Sequence, residues 1–407
     1  RTGVQGIFDK KRVGIYDPVG KIEGLFKQEN IRYASIKNSL SLEAFQGDLL
    51  LIANNAVTDK NEPFFSVLMD KVYKGISVIF LEQEVMPAQS AFPVLLKGGS
   101  ATKTRCLAFG HPLFDNVRQG DLQNWRGDGV ITRSLLEKPH KGNFLVLADA
   151  LDEKGQDLKG ALILEIPHGK GRLLFSQFLI MQKFDSEPVA GILFENMIHY
   201  ALRERKAHER VALFGHEENQ NYKFFKELGV VAVENPMALE QFRTIIITQQ
   251  EDFESKAKNI NKDFFVAMNH FVQSGGSLII FGITPDMYNS LREIIPHEIG
   301  VAEKEIDERV SFKKNSPFFW GITEEDLSQC QFFKNSVRFE ETPESRQLLS
   351  SGKMALFRSG KGEIIVCQLD FRSDDNDDVN AFNSRVASQL LSNLGVAIVA
   401  DTFEKKY

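Results

Sequence analysis

Three residues have the types that hydrolytic chemistry uses: His168, Glu82 and Asp128. A histidine and two carboxyl groups can exchange protons with a substrate if they converge in one pocket with perturbed pKa values. That constellation would make the chain a hydrolase with an unusual site. In an α/β fold, a Cys or Ser nucleophile stands on a sharp turn after a central strand. The corresponding stretches are Leu81–Gln83 and Phe281–Thr284, and neither holds a Cys or a Ser. No catalytic residue is therefore assigned.

Other motifs lack the spacing that chemistry needs. Gly169-Lys170-Gly171 suggests phosphate binding, but Leu174 stands where a dinucleotide fingerprint needs its last glycine, and a strand follows. It reads as a hairpin turn, and no cofactor-binding residue is assigned. Cys106, Cys330 and Cys367 are odd in number and in no CxxC spacing, which argues against a disulfide framework and a zinc site. The histidines show no HxH or HExxH pattern, so no metal ligand is assigned. The acidic run Ser373–Asp378 lacks the EF-hand spacing and reads as a loop at a helix N-terminus. Asn124-Trp125-Arg126-Gly127-Asp128 combines an aromatic with charged neighbours in a Gly-rich loop. Trp125 stacked on a sugar, with Arg126 and Asp128 as hydrogen-bonding flanks, is one reading; a loop anchored by a buried Trp is the other. Trp125, Arg126, Asp128 and His168 are thus the candidate ligand contacts.

The elements that must position these residues occur twice. HPLFDNVRQGDL at 111–122 matches SPFFWGITEEDL at 316–327, at an offset of 205. GKGRLLFSQ at 169–177 matches GKGEIIVCQ at 360–368, at an offset of 191. KRVGIYD, GDLLLIA and KGISVIFL align with ERVALFG, FRTIIIT and GGSLIIFG in the same order. Such self-similarity predicts a tandem duplication, with domains at 1–205 and 209–407 joined by a polar connector near 204–209. His168 faces Ser359 in this alignment, and nothing in the second copy repeats the Trp125 loop.

Unbroken aliphatic runs at 13–16, 48–53 and 77–81, and at 211–214, 244–248 and 277–281, suit strands buried on both faces. Helical spacing fills the intervals, and Gly75 and Gly275 follow two of the helices as caps. The rhythm predicts an α/β fold of two tandem doubly wound, mainly parallel-sheet, flavodoxin-like domains. Strands at 143–147, 161–166 and 172–178 and a closing helix at 188–203 complete the first copy, and a helix at 379–394 closes the second.

The bulk composition fits this reading. Of 407 residues, 43% are hydrophobic and 26% charged, enough apolar material for two cores. The 33 Phe residues lie mostly in apolar runs and read as core. A net charge of −6, spread along the chain, gives no nucleic-acid footprint. No run approaches the roughly 18 apolar residues of a membrane span.

The segments His111–Phe114, Asp121–Asp128, Gly169–Gln177 and Glu187–Leu202 resemble the class I glutamine amidotransferase-like superfamily. More narrowly, they resemble the degenerate modules near the C-terminus of some bacterial β-galactosidases and other family 2 glycoside hydrolases. The resemblance covers most of 10–205 and, more weakly, 209–400. Active members use a Cys nucleophile with His and Glu, and this chain lacks that Cys in both copies. The resemblance therefore implies a pseudoenzyme: a non-catalytic structural or interaction module of a larger carbohydrate-active enzyme, with the first residue, Arg1, read as the start of a piece. It implies a catalytic domain of the same parent chain as partner, carbohydrate as a possible ligand, room for an oligomer, and a periplasmic or extracellular setting. A free-standing carbohydrate-binding protein is the remaining alternative.

Overall fold

The computed structural model describes residues 11–398 apart from 59–61, 87–93, 109, 140–143, 156–157, 204–209, 216–218, 235–237, 249–261, 293, 296–309, 313–315, 334–336, 340, 342–344 and 373–375. The proposed connector and part of the acidic run lie outside the described residues. The described chain forms two compact units, one built from residues up to 203 together with Ile398, the other from residues 210–397.

The first unit contains β1 (Val13–Tyr16), α1 (Lys21–Gln28), β2 (Ala34–Ser35), α2 (Ser39–Ala44), β3 (Leu49–Ile52), α3 (Glu62–Tyr73) and β4 (Ser77–Phe80). It continues with β5 (Leu96–Ala101), β6 (Thr104–Cys106), β7 (Thr132–Leu136), β8 (Leu145–Leu151), β9 (Leu158–His168), β10 (Gly171–Ser176), α4 (Ile180–Lys183) and α5 (Pro188–Ala201). The sheet order is β2-β1-β3-β4-β10-β9-β7-β5, with β8 on β9 and β6 on β8. From β2 to β10 every pair is parallel. β3 and β4 are buried at every residue, as aliphatic runs covered on both faces must be.

The second unit contains β11 (Val211–Phe214), α6 (Gln220–Glu227), β12 (Ala232–Glu234), β13 (Thr244–Thr248), α7 (Lys262–Gln273), β14 (Ser277–Phe281) and α8 (Pro285–Leu291). After these come α9 (Glu324–Gln329), β15 (Gln331–Phe332), β16 (Ser345–Gln347), β17 (Met354–Ser359), β18 (Gly362–Cys367), β19 (Leu369–Asp370) and α10 (Asp377–Asn393). Its main sheet runs β12-β11-β13-β14-β18-β17-β16, and β15 and β19 form a separate pair. Four parallel ladders precede the antiparallel β18–β17 and β17–β16. The protein is thus a mixed α/β fold with two sheet-bearing domains and largely parallel sheets. No helix among the described residues is long and apolar enough to cross a membrane.

Gly-Lys-Gly is a hairpin turn in both units. Gly171 pairs with His168 across β9–β10, and Gly362 pairs with Ser359 across β17–β18. Gly169 and Gly360 have φ of +56° and +59°, which glycine adopts cheaply. The turn also presses against a helix end. A Cβ on Gly171 would lie 2.3 Å from the carbonyl oxygens of Val72 and Ile76, and one on Gly362 would lie 2.1 Å from that of Val272. The intervening lysines donate backbone N–H groups to Tyr73 O and Gln273 O, at 3.0 and 3.1 Å.

The other shared landmark is a capped turn docked on the closing helix. Pro112–Phe114 and Pro317–Phe319 are short 3-10 helices that bury Phe114 and Phe319. Asp121 and Asp326 each accept the backbone N–H of the residue three earlier, Arg118 and Thr323, at 2.8 Å. Asn196 of α5 donates to the carbonyls of Leu113 and Asp115, at 3.1 and 2.8 Å. Asn393 of α10 donates to those of Phe318 and Trp320, at 3.0 and 2.9 Å. The receiving carbonyls correspond at the 205-residue offset, so one side-chain amide holds the same turn in each unit. The closing helices do not correspond at 191 here: Asn196 lies inside α5, whereas Asn393 ends α10.

The close backbone approach sets the first prediction. Gly171→Ala and Gly362→Ala should each lower stability by about 1–3 kcal/mol through overpacking, whereas Lys170→Ala should change it little. Urea unfolding curves of the three variants check this; a Lys170→Ala loss equal to that of Gly171→Ala would contradict the hairpin account.

Candidate functional site

In a parallel sheet, ligands bind outside the carboxyl ends of the strands, so that edge is where a site belongs. In the first unit it is closed by the protein's own side chains. After β1, the Asp17 carboxylate accepts N–H bonds from Val19, Gly20, Ile22 and Glu23, at 3.2, 2.9, 2.6 and 3.2 Å. The α1 N-terminus, which could receive an external anion, thus holds an internal one.

After β4, Gln83 uses its whole amide. Its nitrogen donates to Ala53 O and Leu81 O at 2.7 and 2.6 Å, and its oxygen accepts from Val57 N at 2.9 Å. The Gln83 backbone N–H donates to the side-chain oxygen of Gln177, just beyond β10, at 3.0 Å. Ser134 Oγ donates to Gln83 O at 3.0 Å. The second unit is clamped at the matching place. Gln368, just beyond β18, donates from Nε2 to Ile283 O and Val337 O at 3.2 and 3.1 Å. All three glutamines are essentially inaccessible, with relative exposures of 0–1%. The two stretches where a nucleophile was sought are therefore held by a buried glutamine from the repeated Gly-Lys-Gly strand.

Glu82 is the titratable group at this edge of the first unit with a strongly displaced pKa. Burial pushes it up to about 7, opposed by the Arg133 charge and a hydrogen bond from Gln182, and reinforced by Glu84. The Gln182 bond to Glu82 Oε2 is 2.9 Å. Arg133 also lies 3.6 Å from Asp128, which Lys183 Nζ contacts at 2.5 Å. The Lys183 hydrogen bond, with one from Val130 N–H, holds Asp128 below the usual carboxylate range. Glu82 and Asp128 thus share one neighbourhood through Arg133, Gln182 and Lys183.

His168 does not join them. It ends β9 opposite Gly171, at the amino end of β10, and its ring meets Tyr73 edge-on at 5.6 Å. Glu82 lies beyond the carboxyl end of β4, and β10 runs parallel to β4. A six-residue strand is roughly 17 Å long, so the His168–Glu82–Asp128 constellation is corrected: the sheet separates its histidine from its carboxylates.

The Trp125 loop also differs from a sugar platform. Trp125 is 1% exposed, stacks on Phe178 at 5.2 Å, and donates its indole N–H to Asp121 O at 3.0 Å. Both ring and donor are used internally, which overturns the exposed-aromatic reading. Arg126 is exposed; its N–H reaches Glu187 at 3.1 Å and its carbonyl accepts from Lys183 at 2.8 Å. Arg126 and Asp128 stay together at the surface of the loop, apart from His168. In the acidic run, the described Asn376 caps α10 by accepting from Asp378 N at 2.9 Å.

Four polar residues converge in the core of the first unit. Tyr200 donates to Glu165 Oε2 at 2.7 Å, Arg172 Nη1 lies 3.5 Å from Glu165 Oε1, and His111 Nε2 lies 3.7 Å from Oε2. The Arg172 guanidinium sits 4.4 Å over the Tyr200 ring, whose centroid is 4.2 Å from that of His111. Residue-by-residue reading passed over Glu165; its signal was a lone carboxylate inside Ala-Leu-Ile-Leu-Glu-Ile. The three thiols are buried, and burial pushes each up to about 12. That is the chemistry of packed cysteine, not of a nucleophile.

No protein-family model matches the chain, and no curated protein sequence does either. Among solved structures, it is similar to Op5Man5, an exo-β-1,4-mannosidase from Opitutaceae bacterium strain TAV5, at 15% identity and a TM-score of 0.28 over 49% of this chain and 36% of that one. A putative ThuA-like protein from Parabacteroides merdae aligns at 10% identity and a TM-score of 0.31 over 47% of this chain and 90% of that one. Gan42B, a GH42 β-galactosidase from G. stearothermophilus, aligns at 13% identity and a TM-score of 0.27 over 53% and 35%. The aligned parts span about a third of the mannosidase and of the galactosidase.

Two variants test the account of this edge. Trp125→Ala should cost about 3–5 kcal/mol, as for a buried aromatic, measured by chemical denaturation without ligand; a cost near zero would restore the exposed platform. Glu82 should respond to pH in a defined sense. Its folded pKa of about 7 exceeds the ordinary 4.5, so the folded state binds more protons between those values and loses stability as pH rises through that window. Glu82→Gln should remove that decline, visible as a smaller difference in melting temperature between pH 5 and pH 8.

Proposed function

We propose that this chain is a non-catalytic structural and interaction module of a larger carbohydrate-active protein, built by tandem duplication of one amidotransferase-like domain. The observation that carries the reading is the paired glutamine clamp. Gln177 reaches residue 83 and Gln368 reaches residue 283, so both units close the edge at which a related enzyme would present its nucleophile. The duplication is supported by the matching strand orders, the two Gly-Lys-Gly hairpins and the amide-docked turns. The link to carbohydrate rests on the motif resemblance of residues 10–205. The partner is a catalytic domain of the same parent chain, which the module supports or orients.

A second reading has one specific observation behind it. Glu82, held at about 7 beside Arg133 and Gln182, has the proton affinity of a general acid–base at neutral pH. On that reading the first unit is a hydrolase.

Activity assays decide between them. The isolated chain should turn over neither glutamine nor chromogenic glycosides above the buffer rate. Turnover proportional to protein concentration, lost in Glu82→Gln, would establish the hydrolase. A concentration-dependent rise in melting temperature with particular sugars would instead identify a free-standing binding protein.

A further inference from the structure

The buried quartet in the first unit is balanced in charge only while its histidine is neutral. Glu165 from β9 and Arg172 from β10 supply one negative and one positive charge, and His111 and Tyr200 complete the cluster. All four residues are at most 6% exposed. A proton on His111 would leave a net positive charge enclosed among buried side chains, where desolvation penalises it. Arg203, at the end of the closing helix, adds its own charge from that side, and its carbonyl accepts from Arg172 at 3.3 Å. These groups are the charged partners that face the imidazole: Glu165 favours its protonation, whereas Arg172 and Arg203 oppose it.

Among the described residues of the second unit, the corresponding positions do not form such a cluster. At the matching offsets, Ser316 replaces His111, Leu356 replaces Glu165 and Glu363 replaces Arg172. The ladder registers support the pairing: Glu165 faces Leu174, and Leu356 faces Ile365. Glu363 is partly exposed and takes a hydrogen bond from Ser277 Oγ at 3.2 Å.

We infer that the quartet is an acid-sensitive latch: mild acidification releases the His111–Phe114 turn and α5 from β9 and β10 in the first unit, and leaves the corresponding contacts of the second unit intact. His111 is the N-cap of that turn, accepting Leu113 N–H at Nδ1 at 3.3 Å, and Asn196 fastens the same turn to α5. Loss of the imidazole's place therefore acts on both elements. The direction follows from linkage. Burial pushes His111 down to about 4 from the ordinary 6.5, so an opened latch takes up a proton that the closed one refuses. Closure weakens as pH falls from 6.5 towards 4. Glu82 responds in the opposite sense, but beyond the carboxyl ends of the strands, so the latch must be read locally.

Hydrogen–deuterium exchange on the whole chain, corrected for the intrinsic pH dependence of exchange, provides that reading. Between pH 7 and pH 4.5, peptides covering 111–117 and 194–201 should exchange at least about tenfold faster, since the fall from 6.5 to about 4 exceeds one pKa unit. Peptides covering 316–322 and 385–393 should not. His111→Asn keeps a capping oxygen without the titrating ring and should abolish the acid response. Equal acceleration in both units, no acceleration in the first, or an unchanged response in a folded His111→Asn would each overturn the latch. Because the wild-type chain carries its own internal comparison, a variant that fails to fold leaves the test decisive.

Discussion

A parallel sheet must satisfy the backbone groups where its strands end, and here it does so with buried side-chain amides. At the carboxyl end of β4 the chain leaves the sheet while still in the core, with the carbonyls of Ala53 and Leu81 and the N–H groups of Val57 and Gln83 out of reach of water. An unpaired buried group of this kind costs about 1–3 kcal/mol. Gln83 and Gln177 meet all four needs at 2.6–3.0 Å. With both amides committed, Leu81–Gln83 are tied to the ends of β3 and β10 and to β7, and Gln182 of α4 reaches Glu82 there. Lys183 then fixes Asp128 and the Arg126 carbonyl from α4.

The two units solve this problem with the same residue but differ in how they spend polarity elsewhere. Gln368 reaches the corresponding stretch of the second unit, but by donating to the carbonyls of Ile283 and Val337, whereas Gln177 accepts the Gln83 N–H. Around β9 and β10 the first unit encloses a carboxylate, a guanidinium, an imidazole and a phenol, whereas Leu356 and Glu363 stand at the positions of Glu165 and Arg172 in the second. Buried ion pairs seldom add net stability over apolar packing, because desolvation offsets the attraction. The cluster joins the hairpin to the closing helix, through Glu165 to Arg172 and Tyr200.

The contrast explains which parts were legible in the sequence. Continuous aliphatic runs announced β1, β3, β4, β11, β13 and β14, because burial on both faces removes polar residues from the strand. Gly-Lys-Gly announced the hairpins, since few other residues tolerate both the positive φ and the close helix. β5 was not legible: Leu-Lys-Gly-Gly-Ser-Ala is exposed at four of its six residues and is a strand only because distant β7 pairs with it. Trp125 admitted two readings because its immediate neighbours are polar and Gly-rich, while the ring that buries it, Phe178, follows β10; the buried anchor is the one the structure shows. His168 sat next to a suggestive motif, yet the antiparallel register of β9 and β10 carries it to the amino end of the sheet.

Polar residues that recur at fixed spacing invite a catalytic interpretation, and this chain shows how they can recur for another reason. Asp121 and Asp326 cap turns, Gln177 and Gln368 clamp strand ends, and the paired glycines admit a helix end. Each role is set by backbone geometry, so each persists wherever the same topology is built, whatever the unit does. Residues that serve a ligand have no such claim on both units. By that criterion Glu82, with Arg133 and Gln182 about it, differs in kind from the shared set. Gly282, Ile283 and Thr284 supply no carboxylate in the second unit, and the topology does not require one in the first.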